Sequence, residues 1–242
     1  MGIWALMDCK PLISKLLPLL LFANFVGTAV QALAAEVRGT VTVEYQGMFT
    51  TGANVQSQPV SVALLPAQGQ QVASRHTRSH QVEIIGNRMS PAFLTVKKGD
   101  SIRFVNRDGV YHEIFSLSSG KSWSSRLDRV DGSRASSPGL VLDVPGTTHF
   151  FCRIHSKSYA RIDVVDSPYL ETVMSGHAFH FSGLASGRWK LRLAAPAAET
   201  RWVEVSAMTS PPPLVLRLMS HGGGQGNGKL NAQAGVEQLY HD

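Results

Sequence analysis

Apolar and polar residues alternate along most of the chain with a period of two, the period at which side chains of an extended strand share a face. VRGTVTVEY and PVSVALLP read as two strands joined by the polar, glycine-bearing loop GMFTTGANVQSQ. After a polar stretch, AQGQQVASRHTRSH, the segments QVEIIG, AFLTVKKGD, SIRFVNRDG, HEIFSLS, GLVLDV, THFFC and YARIDVV repeat the pattern at short intervals, punctuated by Gly, Asp, Asn and Pro. No window of this block carries a helical stripe, so the expected class is all-β, a sandwich or barrel. Phe104, Ile114, Leu142 and Val164 fall on core positions by alternation, residues 97–100 (KKGD) form a turn, and the serine-rich, charged stretch 120–138 reads as an irregular excursion. HAFHFSGL, GRWKLRLAAP, RWVEVSAM and LVLRLMS supply four more strands, with Trp189 as a packing residue.

Strand supply sets the expected organisation. Residues 36–79 hold two strands and 167–219 hold four, so each alone makes a small core, whereas together they complete a β-sandwich. The central block, 80–166, is then inserted between them; the alternatives are three consecutive blocks, or early strands that belong to the central barrel. Residues 1–35 read as a secretory signal peptide: an uncharged run at 16–30 follows Lys10 and Lys15, and small residues at Ala32, Ala34 and Ala35 place cleavage near Ala34 or Ala35. The expected location is the periplasm, with no membrane span after cleavage. Residues 220–242, opening on GGGQGNGK, offer little to pack and read as a disordered tail.

Composition narrows the functional classes. With 43% hydrophobic and 17% charged residues in 242, the chain is neither a disordered polyelectrolyte nor a polytopic membrane protein. Its net charge of +6 is scattered, as Arg75, Arg78, Arg88, Lys97, Lys98, Arg103 and Arg107 illustrate, so no focused patch supports nucleic-acid binding. Cysteine is more telling. Cys9 lies in the leader, which leaves Cys152 alone in the exported chain and unable to form an internal disulfide. A lone thiol in an oxidising compartment must be buried, paired between chains or bound to metal.

THFFCRIHSKSYARIDVV favours the metal. It puts Cys152 at the end of one strand and His155 three residues on, in the short loop before the next strand at Tyr159 or Ala160. The natural third ligand is His112, at the start of HEIFSLS after the turn NRDGVY. Two imidazoles and a thiolate make the trigonal set that holds copper for one-electron transfer. Structural zinc would need four ligands in paired spacings, which are absent. Catalytic zinc would need a nearby general base, and Glu113 faces the other side of its strand from His112. No Gly-x-Ser-x-Gly elbow supports hydrolysis. His149 falls on the face opposite Cys152 and reads as a surface residue; His76, His80, His177 and His180 lack a thiolate or carboxylate at useful spacing. Of Phe150 and Phe151, one enters the core and the other is available to an apolar collar around the metal.

PAFLTVKKGDSIRFVNRDGVYHEIFSLS together with PGTTHFFCRIHSKSYARIDVVD resembles the blue-copper (cupredoxin) family, in its plastocyanin and amicyanin-like branch, and the bacterial methylamine utilisation proteins; the match spans about residues 80–166. In that family the upstream histidine follows an Asn-x-Asp turn, as His112 follows Asn106 and Asp108, and a Cys-x2-His unit gives the other equatorial ligands, as Cys152 and His155 do. The resemblance implies an eight-stranded Greek-key sandwich with one copper ion near one end. The flanks RGTVTV, VSVALLP and FHFSGLASGRWKLRL resemble a carboxypeptidase-regulatory-like β-sandwich, in which the cupredoxin unit is inserted or by which it is flanked. The family's axial methionine is missing: Ser158 stands at its amicyanin-like position and Ala160 at its plastocyanin-like one, while Met89 and Met174 are not assigned. That leaves the axial place to water or to a backbone carbonyl of Val110 or Tyr111, with Ser158 as a hydrogen-bond donor into the site. Asn106 either ties the two ligand loops together, as its family counterpart would, or is an ordinary turn residue. The resulting expectation is an exported, non-enzymatic copper protein with a type 1-like His2Cys site, exchanging one electron with a periplasmic redox protein. Copper binding or storage without redox cycling, and a structural β-sandwich with a vestigial site, are the alternatives.

Overall fold

The structure is a computed structural model that describes residues 34–45, 58–67, 77–116, 122–196 and 198–220. The expected signal peptide up to residue 33, the expected tail from 221 and His76 lie outside the described residues. The described chain is all-β. Its strands run β1 (Ala35–Tyr45), β2 (Pro59–Pro66), β3 (Ser79–Ile85), β4 (Arg88–Ser90), β5 (Phe93–Lys97), β6 (Ser101–Asn106), β7 (His112–Ser116) and β8 (Trp123–Leu127). They continue as β9 (Leu140–Val141), β10 (Gly146–Cys152), β11 (Tyr159–Val165), β12 (Tyr169–Met174), β13 (Ala178–Leu184), β14 (Gly187–Ala194), β15 (Arg201–Ala207) and β16 (Leu214–Ser220).

Four sheets enclose two hydrophobic cores. One core lies between the sheets β13-β1-β16 and β12-β2-β14-β15 and is filled by Val41, Val62, Leu64, Phe179, Trp189, Leu191 and Leu218 among others. The second lies between β4-β3-β6-β9 and β5-β11-β10-β7-β8 and holds Ile84, Ile102, Phe104, Ile114, Phe150 and Ile162. β1 and β2 do not pair with each other: β1 runs antiparallel to β13 and parallel to β16, and β2 lies antiparallel between β12 and β14. Both ladders of each early strand are thus completed by the C-terminal segment, as obligatory backbone donors and acceptors require.

Four sequence expectations need correction. The stretch 120–138 is not irregular throughout, since Trp123–Leu127 pairs with β7, His112 opposite Leu127 and Ser116 opposite Trp123. Its serines hid an ordinary alternation in which Leu127 is buried and Ser124 and Arg126 are exposed. The C-terminal segment contributes five strands, not four, because Tyr169–Met174 pairs with β2 as an edge strand. None of its six residues is buried, so little polar contrast marked it in the sequence. The block from β3 to β11 has nine strands where the resemblance implied eight; β4 and β9 span only three and two residues. His80 lies within β3 rather than in a linker and meets the Asp100 carboxylate at 2.8 Å.

A buried charge cluster joins the two cores. Asp163 on β11 is fully buried; it accepts from Arg161 Nε and Nη2 at 2.9 and 2.8 Å, from Thr147 Oγ1 at 2.9 Å and from Arg192 Nη2 on β14 at 2.6 Å. Burial pushes the Asp163 carboxyl up, but the bonds and charges of Arg161 and then Arg192 outweigh it and hold it below the ordinary carboxylate value. Removing the charge strands two guanidinium groups, a loss of about 3–5 kcal/mol for a buried pair. Asp163→Asn is therefore expected to lower the denaturant midpoint markedly at neutral pH. Because the folded carboxyl is depressed, its stabilisation is fully present above the ordinary carboxylate pKa and is lost as pH falls through the lowered one. Wild-type stability should drop across that acid window more steeply than the variant's; parallel curves would refute the assignment.

Candidate metal centre

The centre is assembled by the antiparallel pairing of β7 with β10. Cys152, the last residue of β10, lies opposite Ile114, and both face the second core. His112 is two residues from Ile114 on the same strand and so shares its face; it is fully buried. Beyond Cys152 the chain turns back: Arg153 N–H donates to Glu113 O at 2.9 Å, Ser158 N–H to His155 O at 3.0 Å, and Cys152 N–H to Ser158 O at 3.2 Å. This closed loop returns His155 over the end of the barrel. Outside it, the Arg153 guanidinium meets Glu113 at 2.8 Å, so Glu113 faces away from His112 as expected.

Three donor atoms converge. Cys152 Sγ lies 3.6 Å from His112 Nδ1 and 3.6 Å from His155 Nδ1, and the two Nδ1 atoms are 3.1 Å apart. Bond lengths of about 2.0 Å to nitrogen and 2.3 Å to sulfur would separate trigonal ligand atoms by roughly 3.5–3.7 Å; both sulfur edges match, and the 3.1 Å nitrogen edge is shorter and would open slightly around one small cation. Lone pairs facing one another at these separations repel unless a proton or a cation sits between them. The cluster contains three His, Cys, Asp or Glu side chains, one fewer than a closed zinc site requires. A soft sulfur with two imidazoles suits copper.

Around His112 the chain supplies a second layer. Its Nε2–H donates to Asp108 Oδ2 at 3.0 Å, which fixes the tautomer and leaves Nδ1 free to ligate. The Asp108 carboxylate also accepts the backbone N–H groups of Gly86 at 2.6 Å and Asn87 at 2.9 Å. Burial raises the Asp108 carboxyl, but those two amides and His112 outweigh it and keep it ionised to lower pH than usual. Burial likewise depresses His112, against the pull of Asp108 and with the charge of His155, so the ring favours its neutral, ligating form. Asn106 does not tie the two ligand loops together. Its Nδ2 donates to Val110 O at 2.7 Å and Asp128 O at 2.8 Å, and its Oδ1 accepts from Asp108 N–H at 2.9 Å, so it braces the turn before His112 against the segment after β8.

Other expectations fare unevenly. Ser158 is buried, but its hydroxyl donates to Asn87 O at 2.7 Å instead of into the donor triangle. The side chain of Tyr111 is exposed and lies under the Arg126 guanidinium. The Val110 carbonyl is engaged by Asn106. Phe150 is buried in the core, whereas Phe151 faces outward among Phe115, His149 and Tyr159 and forms no collar. The period of two decides this, because Phe151 alternates with Phe150 and Cys152. His149 is on that outer face as expected, but half-buried, with Nδ1 at 2.9 Å from Tyr159 Oη. Met174 is exposed on β12 and Met89 is buried in the second core. His177 is exposed, and His180 pairs with Glu36. Sequence reasoning missed the bracing role of Asp108; its place four residues before His112 in a turn was the available signal. Val110, Tyr111 and Ile154, all exposed, line an open depression of about 830 Å³ whose wall includes His155.

No protein-family model and no curated protein matches the chain. Solved structures do. An oxidised amicyanin variant matches at TM-score 0.32 and 18% identity, covering 36% of this chain and 82% of that one. A purple cupredoxin from Nitrosopumilus maritimus matches at TM-score 0.30 and 22% identity, covering 35% and 98%. A copper-containing nitrite reductase from Thermus scotoductus matches at TM-score 0.32 and 18% identity, covering 42% of this chain and 25% of that one. Likenesses this distant transfer no residue's role from one chain to another, and the chemistry rests on the chain's own side chains.

The bracing of His112 is testable without metal. In the metal-free protein, long-range proton–nitrogen NMR should show His112 protonated at Nε2 and bare at Nδ1. Asp108→Ala should give a mixture of tautomers. A single Nε2–H tautomer retained in the variant would refute the role given to Asp108.

Proposed function

We propose that this chain binds one copper ion through His112 Nδ1, Cys152 Sγ and His155 Nδ1 and serves as a one-electron carrier, not an enzyme. The observation that supports this reading is the donor triangle, with edges of 3.1, 3.6 and 3.6 Å. Copper supplies the Cu(II)/Cu(I) couple. The chain's part is to keep the ligands still: two strands of a packed sheet hold His112 and Cys152, a closed loop holds His155, and Asp108 locks the His112 ring. Fixed ligands lower the reorganisation that each electron transfer costs. His155 is the partly exposed member of the set. The exposed Val110, Tyr111 and Ile154 around it offer an apolar surface for a redox partner to approach closely. Export to the periplasm, with cleavage near Ala34 or Ala35, is part of the same proposal and rests on the leader-like N-terminal sequence.

Copper(II) added to the purified protein should give an intense thiolate-to-copper absorption band in the visible and a reversible one-electron wave in voltammetry. Cys152→Ser should abolish the band. Asp108→Ala should keep it but weaken copper affinity by about 10–100-fold, the usual cost of losing a partner behind a metal ligand. Tight Cu(I) binding without a reversible wave would favour a storage role instead. A wild-type protein with no visible band would overturn the metal assignment.

A further inference from the structure

Resting on the copper reading above, we infer that the side-chain amide oxygen of Asn87 is the axial donor of the metal centre, in place of a thioether. Gly86 and Asn87 form the two-residue turn between β3 and β4, with φ of 59° and 60°. This turn is bonded to both arms of the donor triangle. Asn87 N–H donates at 2.9 Å to the same Asp108 Oδ2 that holds His112 Nε2 at 3.0 Å. Asn87 O accepts the Ser158 hydroxyl at 2.7 Å, and Ser158 is in turn bonded through its backbone to Cys152 and His155. The backbone N–H and C=O of Asn87 are thereby spent, yet its Oδ1 is buried and has no hydrogen-bond donor.

The turn explains why an asparagine is tolerated here, since paired positive φ values suit Gly and Asn. It does not explain burying an amide oxygen without a partner, which costs free energy that a glycine would avoid. Among the described residues, the remaining unpartnered buried side-chain atoms, on Gln58, Ser61, Thr95 and Arg192, lie outside this turn. A cation beside the triangle is a partner an oxygen can take. The Ser158 hydroxyl and the Val110 carbonyl each already have a hydrogen-bond partner, Asn87 O and Asn106 Nδ2, whereas Asn87 Oδ1 has none. An amide oxygen is a harder donor than a thioether and favours Cu(II) over Cu(I), so the centre should sit at a lower potential than one with sulfur there. Asn87 stays neutral throughout, and no proton moves with the electron.

Asn87→Gly tests this cleanly, because glycine keeps the turn at positive φ while deleting the oxygen. Asn87→Asp retains an oxygen donor, and Met89→Leu removes the thioether buried in the same core as Cys152. The readouts are Cu(II) electron paramagnetic resonance, the reduction potential, and proton NMR of the cobalt(II)-loaded protein. Wild-type cobalt protein should show strongly shifted Asn87 β-proton signals that vanish in Asn87→Gly. The potential should rise in Asn87→Gly and fall in Asn87→Asp, with Met89→Leu unchanged. A wild-type thiolate band together with unaltered resonance and potential in Asn87→Gly would overturn the axial assignment and leave the copper reading standing. So would a shift in Met89→Leu alone, which would hand the position to sulfur. Absence of the band from the wild type would remove both. Should Asn87→Gly fail to fold, Asn87→Asp decides: an unchanged potential there also overturns the assignment.

Discussion

The candidate metal centre depends on one strand pairing, β7 against β10. Antiparallel register sets Cys152 opposite Ile114 and, by the two-residue period, turns His112 to the same inner face. A slip of one residue would carry every side chain of β10 to the other face, placing Phe151 in the core and Cys152 among the outer aromatics. What forbids the slip is packing: Phe150 is buried against Phe104 and Trp123, while Phe151 fits beside Phe115 and Tyr159 on the outside. The hydrophobic core thus fixes the sulfur's position, and the chemistry at Cys152 is a consequence of where two phenylalanines belong.

The second constraint is polar. Short turns at the end of the second barrel would be free to move were they not bonded to one another, and Asp108 and Asn106 do most of that bonding. Asp108 gathers three donors from two segments, and Asn106 reaches across to Val110 and Asp128. Buried polar networks of this kind are stable only when their members are paired. The one unpaired oxygen in the Gly86–Asn87 turn therefore stands out against its surroundings. Elsewhere, the carboxylate at the centre of the Asp163 cluster accepts from Arg161, Arg192 and Thr147. That cluster couples β11, which runs on from the Cys152–His155 loop, to β14 of the neighbouring sandwich, so the metal loop is anchored at both ends.

Legibility in the sequence followed the contrast between buried and exposed positions. Strands with sharp alternation, such as Ser101–Asn106 and His112–Ser116, were readable from residue types. Trp123–Leu127 was not, because its outward serines looked like loop, and Tyr169–Met174 was not, because an edge strand with no buried residue has no contrast to show. At the site, Cys152 and His155 were marked by their spacing, and His112 by its place after a turn. The partners of Asn106 and Ser158 were misjudged. A side chain's hydrogen bonds depend on which turns lie across the barrel end, and nothing local records that.

By itself the sequence determined the all-β class, the near-complete strand set and the three side chains with metal-ligating chemistry, since each follows from residue type and short-range period. Only the tertiary structure decided that 40 residues of separation between His112 and Cys152 close to 3.6 Å, that Phe151 turns outward, and that the Gly86–Asn87 turn bonds to both ligand segments. Those facts come from register and long-range packing, in which distant segments compete for one face or one donor. No local pattern contains the outcome of that competition.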